Sequence, residues 1–193
     1  MTSPTAVFRV DASVSSGIGH FMRCRALALK GLARGWHIVF LTAEAPDDLQ
    51  DRIRKDGCGL LMRSPGLSDA DELKWLVHVL EKINPAVCFL DGYAFEIDYQ
   101  RTVRSLVKCL VCLDDRPSRQ FECDIVLNQN LGVALKDYTS LVSSGMTLLL
   151  GPRFALLAPG FLEHACSYQV RPRPARVLVT MGGSDKFDCT SRV

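Results

Sequence analysis

The stretch that decides the fold is Phe8-Arg-Val-Asp-Ala-Ser-Val-Ser-Ser-Gly-Ile-Gly-His-Phe-Met-Arg-Cys24, in which an apolar strand runs into a Ser/Gly loop and then into a helix. Gly17 and Gly19 allow tight or positive-φ geometry and a close approach of the backbone to a ligand. The free N–H groups of a helix that begins near His20 favour an anion. Two interpretations follow: an active-site loop that delivers a histidine to a ligand, or a plain strand-to-helix turn with His20 as its first exposed residue.

Short β-rich runs alternate with amphipathic segments along the chain, which is typical of a parallel α/β sheet. The predicted strands are Val7–Val10, His37–Leu41, Leu60–Arg63, Ala86–Leu90, Lys108–Leu113, Ile125–Leu127 and Thr147–Leu150. The predicted helices cover residues 20–34, 46–56, 69–83, 96–106 and 160–168. The pattern therefore predicts a doubly wound, Rossmann-like parallel sheet, in which ligands bind at the carboxyl ends of the strands.

Polar residues follow several predicted strands at that edge of the sheet. Asp91-Gly-Tyr93, Asp114-Asp-Arg116 and Asn128-Gln-Asn130 each come directly after an apolar run. Any one of them alone is typical of an Asx turn or a helix cap. Together they predict a rim of hydrogen-bond donors and acceptors suited to a polyhydroxylated substrate, with His20 as its proton carrier. The rim residues are His20, Asp91, Tyr93, Asp114, Asp115 and Asn128.

The charge balance and the hydropathy of the chain indicate which partners and which cellular location to expect. The 193 residues include 23 Lys and Arg against 21 Asp and Glu, so no basic field indicates a nucleic-acid partner. Residues 1–9 lack the basic and apolar regions of a signal peptide, and no run approaches the ~20 apolar residues of a membrane span. We therefore expect a cytoplasmic protein without a nucleic-acid or membrane partner.

The eight cysteines lie mostly inside apolar segments, as buried reduced thiols do. Cys109 and Cys112 form the one C-x-x-C, but residues three apart on a strand point to opposite faces of the sheet. No second cysteine or histidine pair completes a zinc set. We expect no metal, no cofactor and no disulfide framework.

The chain changes character near its C-terminus. Residues 169–175 form a proline- and arginine-bearing connector, and Arg176-Val-Leu-Val-Thr-Met-Gly-Gly-Ser-Asp185 repeats the strand-into-glycine-loop pattern of the N-terminus. We expect a domain at 1–168, a linker at 169–175, and at 176–193 the first strand and glycine loop of a truncated second domain. A missing or separate C-terminal domain would then complete the protein. The alternative is that Gly182-Gly183 is only the turn into a terminal appendage.

Seven motifs resemble, in order, those of the UDP-2,4-diacetamido-2,4,6-trideoxy-β-L-altropyranose hydrolases of pseudaminic acid biosynthesis. They are Arg9-x-Asp11, Ser15-Ser-Gly-Ile-Gly-His-x-x-Arg23, Asp91-Gly-Tyr93, Leu113-Asp-Asp115, Cys123-Asp-Ile-Val-Leu-Asn128, Leu149-Leu-Gly-Pro-Arg-Phe-Ala-Leu-Leu157 and Met181-Gly-Gly-Ser-Asp185. That family is similar to the peptidoglycan N-acetylglucosaminyltransferases in its two-domain GT-B architecture. It hydrolyses the bond between the anomeric carbon and the UDP oxygen. The resemblance thus implies a UDP-sugar hydrolase whose N-terminal half is the Rossmann-like domain.

The resemblance also implies roles for individual residues. His20 becomes the general base that activates water, Gly17 and Gly19 shape its loop, and Tyr93 lines the sugar pocket. The residues assigned to substrate binding are Asp11, Gly17, Gly19, Arg23, Tyr93, Gly182, Gly183, Ser184 and Asp185, the last four in a loop that faces the cleft from the second domain.

Two other functions fit the same sequence. A GT-B glycosyltransferase would pass the sugar from UDP to an acceptor instead of to water. A non-catalytic, truncated sugar-nucleotide-binding domain would keep the fold and the pocket without needing His20.

Overall fold

The computed structural model describes residues 3–13, 17–64, 66, 68–163, 172–180, 185 and 188–193. Its centre is one seven-stranded, all-parallel sheet with the strand order β3-β2-β1-β4-β5-β6-β7. The strands are β1 Thr5–Val10, β2 His37–Thr42, β3 Gly59–Met62, β4 Val87–Asp91, β5 Leu110–Leu113, β6 Ile125–Asn128 and β7 Thr147–Leu150. The predicted doubly wound, Rossmann-like sheet is confirmed, with all seven strands within a few residues of their predicted bounds.

Five α-helices accompany the sheet in the described part of the chain. They are α1 Gly19–Leu32, α2 Asp47–Lys55, α3 Asp69–Ile83, α4 Ile97–Leu106 and α5 Pro159–Glu163. The ends of α3 show how local sequence sets such bounds: the Ser68 side chain accepts a hydrogen bond from the backbone N–H of Asp71, and Asn84 takes a left-handed conformation with φ 47°. The end of the fifth predicted helix, residues 164–168, lies outside the described residues.

The two faces of the sheet carry separate apolar cores. On one face, α1 and α2 pack on the sheet, and the ring of Phe8 stacks against Phe40 and Phe89 with centroids 5.1 and 4.5 Å apart. On the other face, α3 and α4 cover the sheet through residues such as Leu76 and Val103. Helices on both faces explain why the strands are apolar runs rather than alternating patterns.

The direction of winding changes between β1 and β4. Strand β1 pairs with β2 on one side and with β4 on the other, so the chain leaves β1 towards one edge of the sheet and later returns to its opposite flank. The loops after β1 and β4 therefore diverge above the sheet and leave a crevice at the carboxyl ends of these strands. This is the place where the fold puts His20 and the Asp91-Gly-Tyr93 turn.

One charged side chain crosses the core below that crevice. Arg9, near the carboxyl end of β1, is 1% exposed; its guanidinium donates to Asp11 at 2.6 Å and to Glu72 of α3 at 2.6 and 3.0 Å. Tyr99 donates to the same Glu72 oxygen, and the Phe95 ring lies 5.0 Å from the guanidinium. Burial by itself lowers the pKa of Arg9, but the hydrogen bonds and charges of its carboxylate partners outweigh burial and raise it. The network ties β1 to α3.

The C-terminal residues add little to this fold. Residues 172–180 form neither helix nor strand, and Val177 and Leu178 are exposed there. The strand predicted from residue 176 thus has no hydrogen-bonded partner among the residues described. Whether residues 176–193 begin a second domain stays a prediction. No helix in the described part of the chain has both the length and the apolar character that crossing a bilayer needs.

The Arg9 network yields a stability prediction. Glu72→Ala should lower the free energy of unfolding by about 3 kcal/mol, because it takes from a buried guanidinium one of the two carboxylates that pair with it among the described residues. Urea denaturation would measure the change. Arg101→Ala is the matched control, since it also breaks an ion pair, with Asp98, but an exposed one worth under about 1 kcal/mol. Equal losses in the two variants would contradict a stabilising role for the buried network.

Candidate active site

A cavity of about 370 Å³ opens at the crevice between β1 and β4. Its walls come from the loops that follow β1, β2 and β4, and its polar lining includes Asp11, His20, Glu44, Arg63, Asp91 and Tyr93. A second cavity of about 510 Å³ shares Asp11, Arg63, Ala94 and Phe95 with the first. The two cavities are therefore neighbours at the edge where doubly wound sheets bind their ligands.

His20 lies in the first turn of α1, and its imidazole is held from below by Asp91 at the end of β4. The Nδ1 atom is 2.6 Å from Asp91 Oδ1. A nitrogen lone pair would repel a carboxylate oxygen at that distance, so the contact assigns the imidazole proton to Nδ1. The lone pair of Nε2 is then free to accept a proton, which is the arrangement of a general base with an orienting carboxylate.

Asp91 is fully buried and gathers three donors from one face of α1. Besides His20, Arg23 donates to both carboxylate oxygens at 2.5 and 2.6 Å, and the thiol of Cys24 approaches Oδ2 at 3.4 Å. Positions 20, 23 and 24 are three and four residues apart, so a helix places them side by side. Arg23 Nη2 also lies 2.9 Å from His20 Nδ1, so the guanidinium is in contact with the imidazole as well as with the carboxylate.

The pKa values in this group follow from its partners. Burial alone raises the pKa of Asp91, but hydrogen bonds and charges from Arg23 and His20 outweigh burial, and the pKa is lowered. Burial, and then the nearby Asp91 charge, raise the pKa of the Cys24 thiol well above its ordinary value. Asp91 is therefore an ionised acceptor, and Cys24 is a neutral donor to it.

On the other side of the imidazole lies Asp115, from the loop after β5. Its Oδ2 is 3.9 Å from His20 Nε2 and 3.6 Å from Arg23 Nη1, while Oδ1 accepts a hydrogen bond of 2.7 Å from the Tyr93 hydroxyl. The Tyr93 ring meets the imidazole edge-on with centroids 5.3 Å apart, and the Arg116 guanidinium lies over the ring. Four of the six predicted rim residues, His20, Asp91, Tyr93 and Asp115, thus form one connected group.

The other two predicted rim residues are buried in a different cluster. Asp114 accepts a 2.5 Å hydrogen bond from the Tyr138 hydroxyl, which in turn accepts one of 2.8 Å from Asn128 Nδ2. Burial raises the pKa of Asp114 overall, although the Tyr138 hydrogen bond opposes the shift. The expectation that Asp114 and Asn128 line the rim is wrong, because Tyr138 from a long loop pairs with both of them inside the core.

One carboxylate oxygen of Asp11 holds the loop after β2 in place. Its Oδ1 accepts hydrogen bonds from Arg9, from the Thr42 hydroxyl and from the backbone N–H of Ala43. Burial raises its pKa, but these partners together lower it. Asp11 lines the cavity while it also fixes the loop after β2, so a part in ligand binding stays a prediction.

The two predicted glycines of the loop after β1, Gly17 and Gly19, differ in whether the structure requires a glycine. Gly17 has φ 74°, where a side chain would be strained, and its N–H donates to the Ser13 carbonyl. A Cβ placed on Gly19 would meet no atom of the described residues within 4 Å, its chain neighbours aside, so packing against them does not require a glycine there. Gly182, Gly183 and Ser184 lie outside the described residues. Asp185 accepts hydrogen bonds from the backbone N–H groups of Cys189 and Thr190.

Sequence reasoning missed Arg119, which fastens the Tyr93 turn. Its Nη1 donates to the carbonyl oxygens of Gly92 at 2.9 Å and of Tyr93 at 3.1 Å. The contact joins the loop after β5 to the loop after β4. No periodicity or motif marks this arginine in the sequence. In the described residues, no group of three or more His, Cys, Asp or Glu side chains could hold a metal ion.

The lowered pKa of Asp91 gives a pH-dependent prediction. A carboxylate with a depressed folded-state pKa contributes stability above its unfolded-state pKa of about 3.9, and this contribution disappears as the pH falls through the folded-state value. Asp91→Asn should therefore lower the free energy of unfolding by about 2 kcal/mol at pH 7, and the gap to wild type should narrow below about pH 4. Urea denaturation at pH 7 and pH 3.5 would measure both values. Asp98→Asn, which alters an exposed carboxylate, is the control, and a pH-independent gap for Asp91→Asn would contradict an ionised Asp91.

Two proteins from other organisms are similar in sequence to nearly the whole of this chain. No protein-family model matches the chain. It is 27% identical over 188 residues to an uncharacterized protein of Methanocaldococcus jannaschii, covering 95% of this chain and 37% of that protein. It is 21% identical over 179 residues to the UDP-2,4-diacetamido-2,4,6-trideoxy-β-L-altropyranose hydrolase of Campylobacter jejuni, covering 93% of this chain and 60% of that enzyme. The chain thus spans less than two thirds of the length of either relative.

Among solved structures, the fold is similar to that of MurG from Acinetobacter baumannii. The TM-score is 0.52 at 10% sequence identity, over 76% of this chain and 44% of MurG. At this identity the likeness concerns the fold alone. The chain is therefore a Rossmann-like α/β domain with a distant UDP-sugar hydrolase relative and a fold similar to that of MurG.

Proposed function

We propose that this chain is the histidine-bearing half of an enzyme that hydrolyses a UDP-linked diacetamido-trideoxyhexose to UDP and the free sugar. One observation carries the proposal: the imidazole of His20 has its Nδ1 held by buried Asp91, which leaves Nε2 as a base at the carboxyl edge of the sheet. A histidine that served only as the first exposed residue of a helix would not need a buried carboxylate partner.

The proposed reaction needs one proton transfer by the protein. Nε2 of His20 takes a proton from water while the water oxygen attacks the anomeric carbon. The bond from that carbon to the diphosphate oxygen breaks, and UDP leaves with the electron pair. Asp91 stabilises the imidazolium that forms, and the base contributes about 10²–10⁴-fold to the rate.

The cavities are suited to the sugar rather than to the nucleotide. The arginines in their walls are already paired with carboxylates: Arg9 with Asp11 and Glu72, and Arg63 within 3.9 Å of Glu72. Ala94 and Phe95 contribute apolar surface to both cavities. A neutral sugar with polar and methyl-bearing substituents matches such a lining, whereas a diphosphate needs uncompensated positive charge.

The two comparisons support the proposal in different ways. The Campylobacter relative is a hydrolase of a UDP-linked diacetamido sugar, and its similarity extends over nearly all of this chain. The MurG-like fold is compatible with a two-domain enzyme in which residues 176–193 begin the second domain and the diphosphate lies between domains. The same fold keeps a glycosyltransferase as the second candidate. Release of free sugar in the absence of any acceptor favours the hydrolase.

The first functional prediction concerns His20. In a longer polypeptide that supplies a second domain, His20→Ala should lower kcat for UDP release at least about a hundredfold without loss of folding. UDP release and sugar formation would be followed by ³¹P and ¹H NMR. His37→Ala is the matched control, because this exposed histidine begins β2 at the opposite, amino edge of the sheet. Unchanged turnover in His20→Ala would remove the base from the mechanism.

The second functional prediction concerns the 193-residue chain by itself. It should bind UDP weakly or not at all and show no hydrolysis above background, because the residues that orient the diphosphate are proposed to lie in a second domain. Calorimetric titration with UDP would measure the affinity. Micromolar binding of UDP would show that this chain builds a nucleotide site alone and would contradict the two-domain proposal.

A further inference from the structure

We propose that Asp115 is a further catalytic residue, which holds the attacking water jointly with His20 Nε2. The identity of the reaction rests on the proposed function. The water site itself is a property of this chain and can be tested without any substrate.

The separation of the two groups carries the inference. His20 Nε2 and Asp115 Oδ2 are 3.9 Å apart, which is too far for a direct hydrogen bond. Two hydrogen bonds of about 2.8 Å that meet at an angle of about 90° span about 4.0 Å, so one water fits between these atoms. Both atoms are acceptors, since Nδ1 carries the imidazole proton, and a water has one hydrogen for each.

The other contacts of Asp115 orient its Oδ2 atom towards the proposed water position. The Tyr93 hydroxyl donates to Oδ1, and this bond turns Oδ2 towards His20 and the Arg23 guanidinium. Burial and then the hydrogen bond to Asp115 raise the pKa of Tyr93, which keeps that hydroxyl protonated as a donor. The Asp115 side chain is 23% exposed, so water can reach it.

The two carboxylates then have separate tasks on the two imidazole nitrogens. Asp91 fixes the tautomer through Nδ1, and Asp115 orients the water in front of Nε2. In the reaction the O–H bond that points to Nε2 breaks as the new N–H bond forms, and the oxygen pair bonds to the anomeric carbon as UDP departs. Asp115 Oδ2 accepts a hydrogen bond from the second hydrogen of the water throughout this step. With imidazole neutral, Asp91, Asp115 and Arg23 sum to one negative charge, which the imidazolium cancels.

A crystal structure of the 193-residue chain tests the water site directly. We expect one ordered water within hydrogen-bond distance of both Nε2 and Oδ2 in the wild type. We expect it to be lost in Asp115→Ala, and to be displaced in Tyr93→Phe, where the bond that turns the carboxylate is missing. A direct contact between Asp115 and Nε2, or a site without water in the wild type, would overturn the proposal.

Kinetics in the two-domain hydrolysis assay test the catalytic role. Asp115→Asn should lower kcat at least tenfold and change KM by less than about threefold, because it weakens an interaction with the water rather than with the sugar. Asp98→Asn, an exposed carboxylate on α4, is the control. Turnover in Asp115→Asn equal to wild type would overturn the role of Asp115 while leaving His20 in place. A wild type that holds the water but hydrolyses no UDP-sugar would instead contradict the proposed function, and the catalytic role with it.

Discussion

The candidate site depends on a single buried carboxylate, Asp91, at the carboxyl end of β4. A buried ionised carboxylate costs several kcal/mol unless charged or hydrogen-bonding partners surround it. Here the partners are His20, Arg23 and Cys24, all on one face of α1. The need to satisfy Asp91 thus sets the rotation of α1 against the sheet, and the same contacts fix the tautomer of His20. The same interaction thus serves both the stability of the fold and the orientation of the His20 imidazole.

A second ion-pair network fixes the opposite wall of the crevice. Arg9 joins β1 to Glu72 of α3, and through Asp11 it also holds the loop at Ala43 after β2. Each network contributes a carboxylate to the 370 Å³ cavity, Asp91 from one and Asp11 from the other, while buried Arg9 borders the neighbouring 510 Å³ cavity. Apolar layers on both faces of the sheet supply most of the burial, and the ion pairs determine how the loops at one edge are held.

Sequence reasoning finds the fold because strands covered on both faces leave apolar runs that are easy to recognise. It finds His20, Asp91, Tyr93 and Asp115 because the carboxyl ends of neighbouring parallel strands meet at one edge. It fails for Asp114, because the partner that buries this residue is Tyr138, 24 residues later in a loop without periodicity. The pairing of Arg9 with Glu72 spans 63 residues, and such contacts leave no local pattern.

The charges around the crevice bear on which part of a UDP-sugar this domain could hold. Each arginine that lines the two cavities lies within ion-pair distance of a carboxylate. Walls neutralised in this way bind hydroxyl and amide groups well, but they cannot compensate the charges of a diphosphate. An enzyme of UDP-sugars built on this domain would therefore divide its substrate, with the sugar and the water held by this chain and the diphosphate held by residues elsewhere. The domain's own contribution is then chemical: a base, the carboxylate that orients it, and a second carboxylate that faces its free nitrogen.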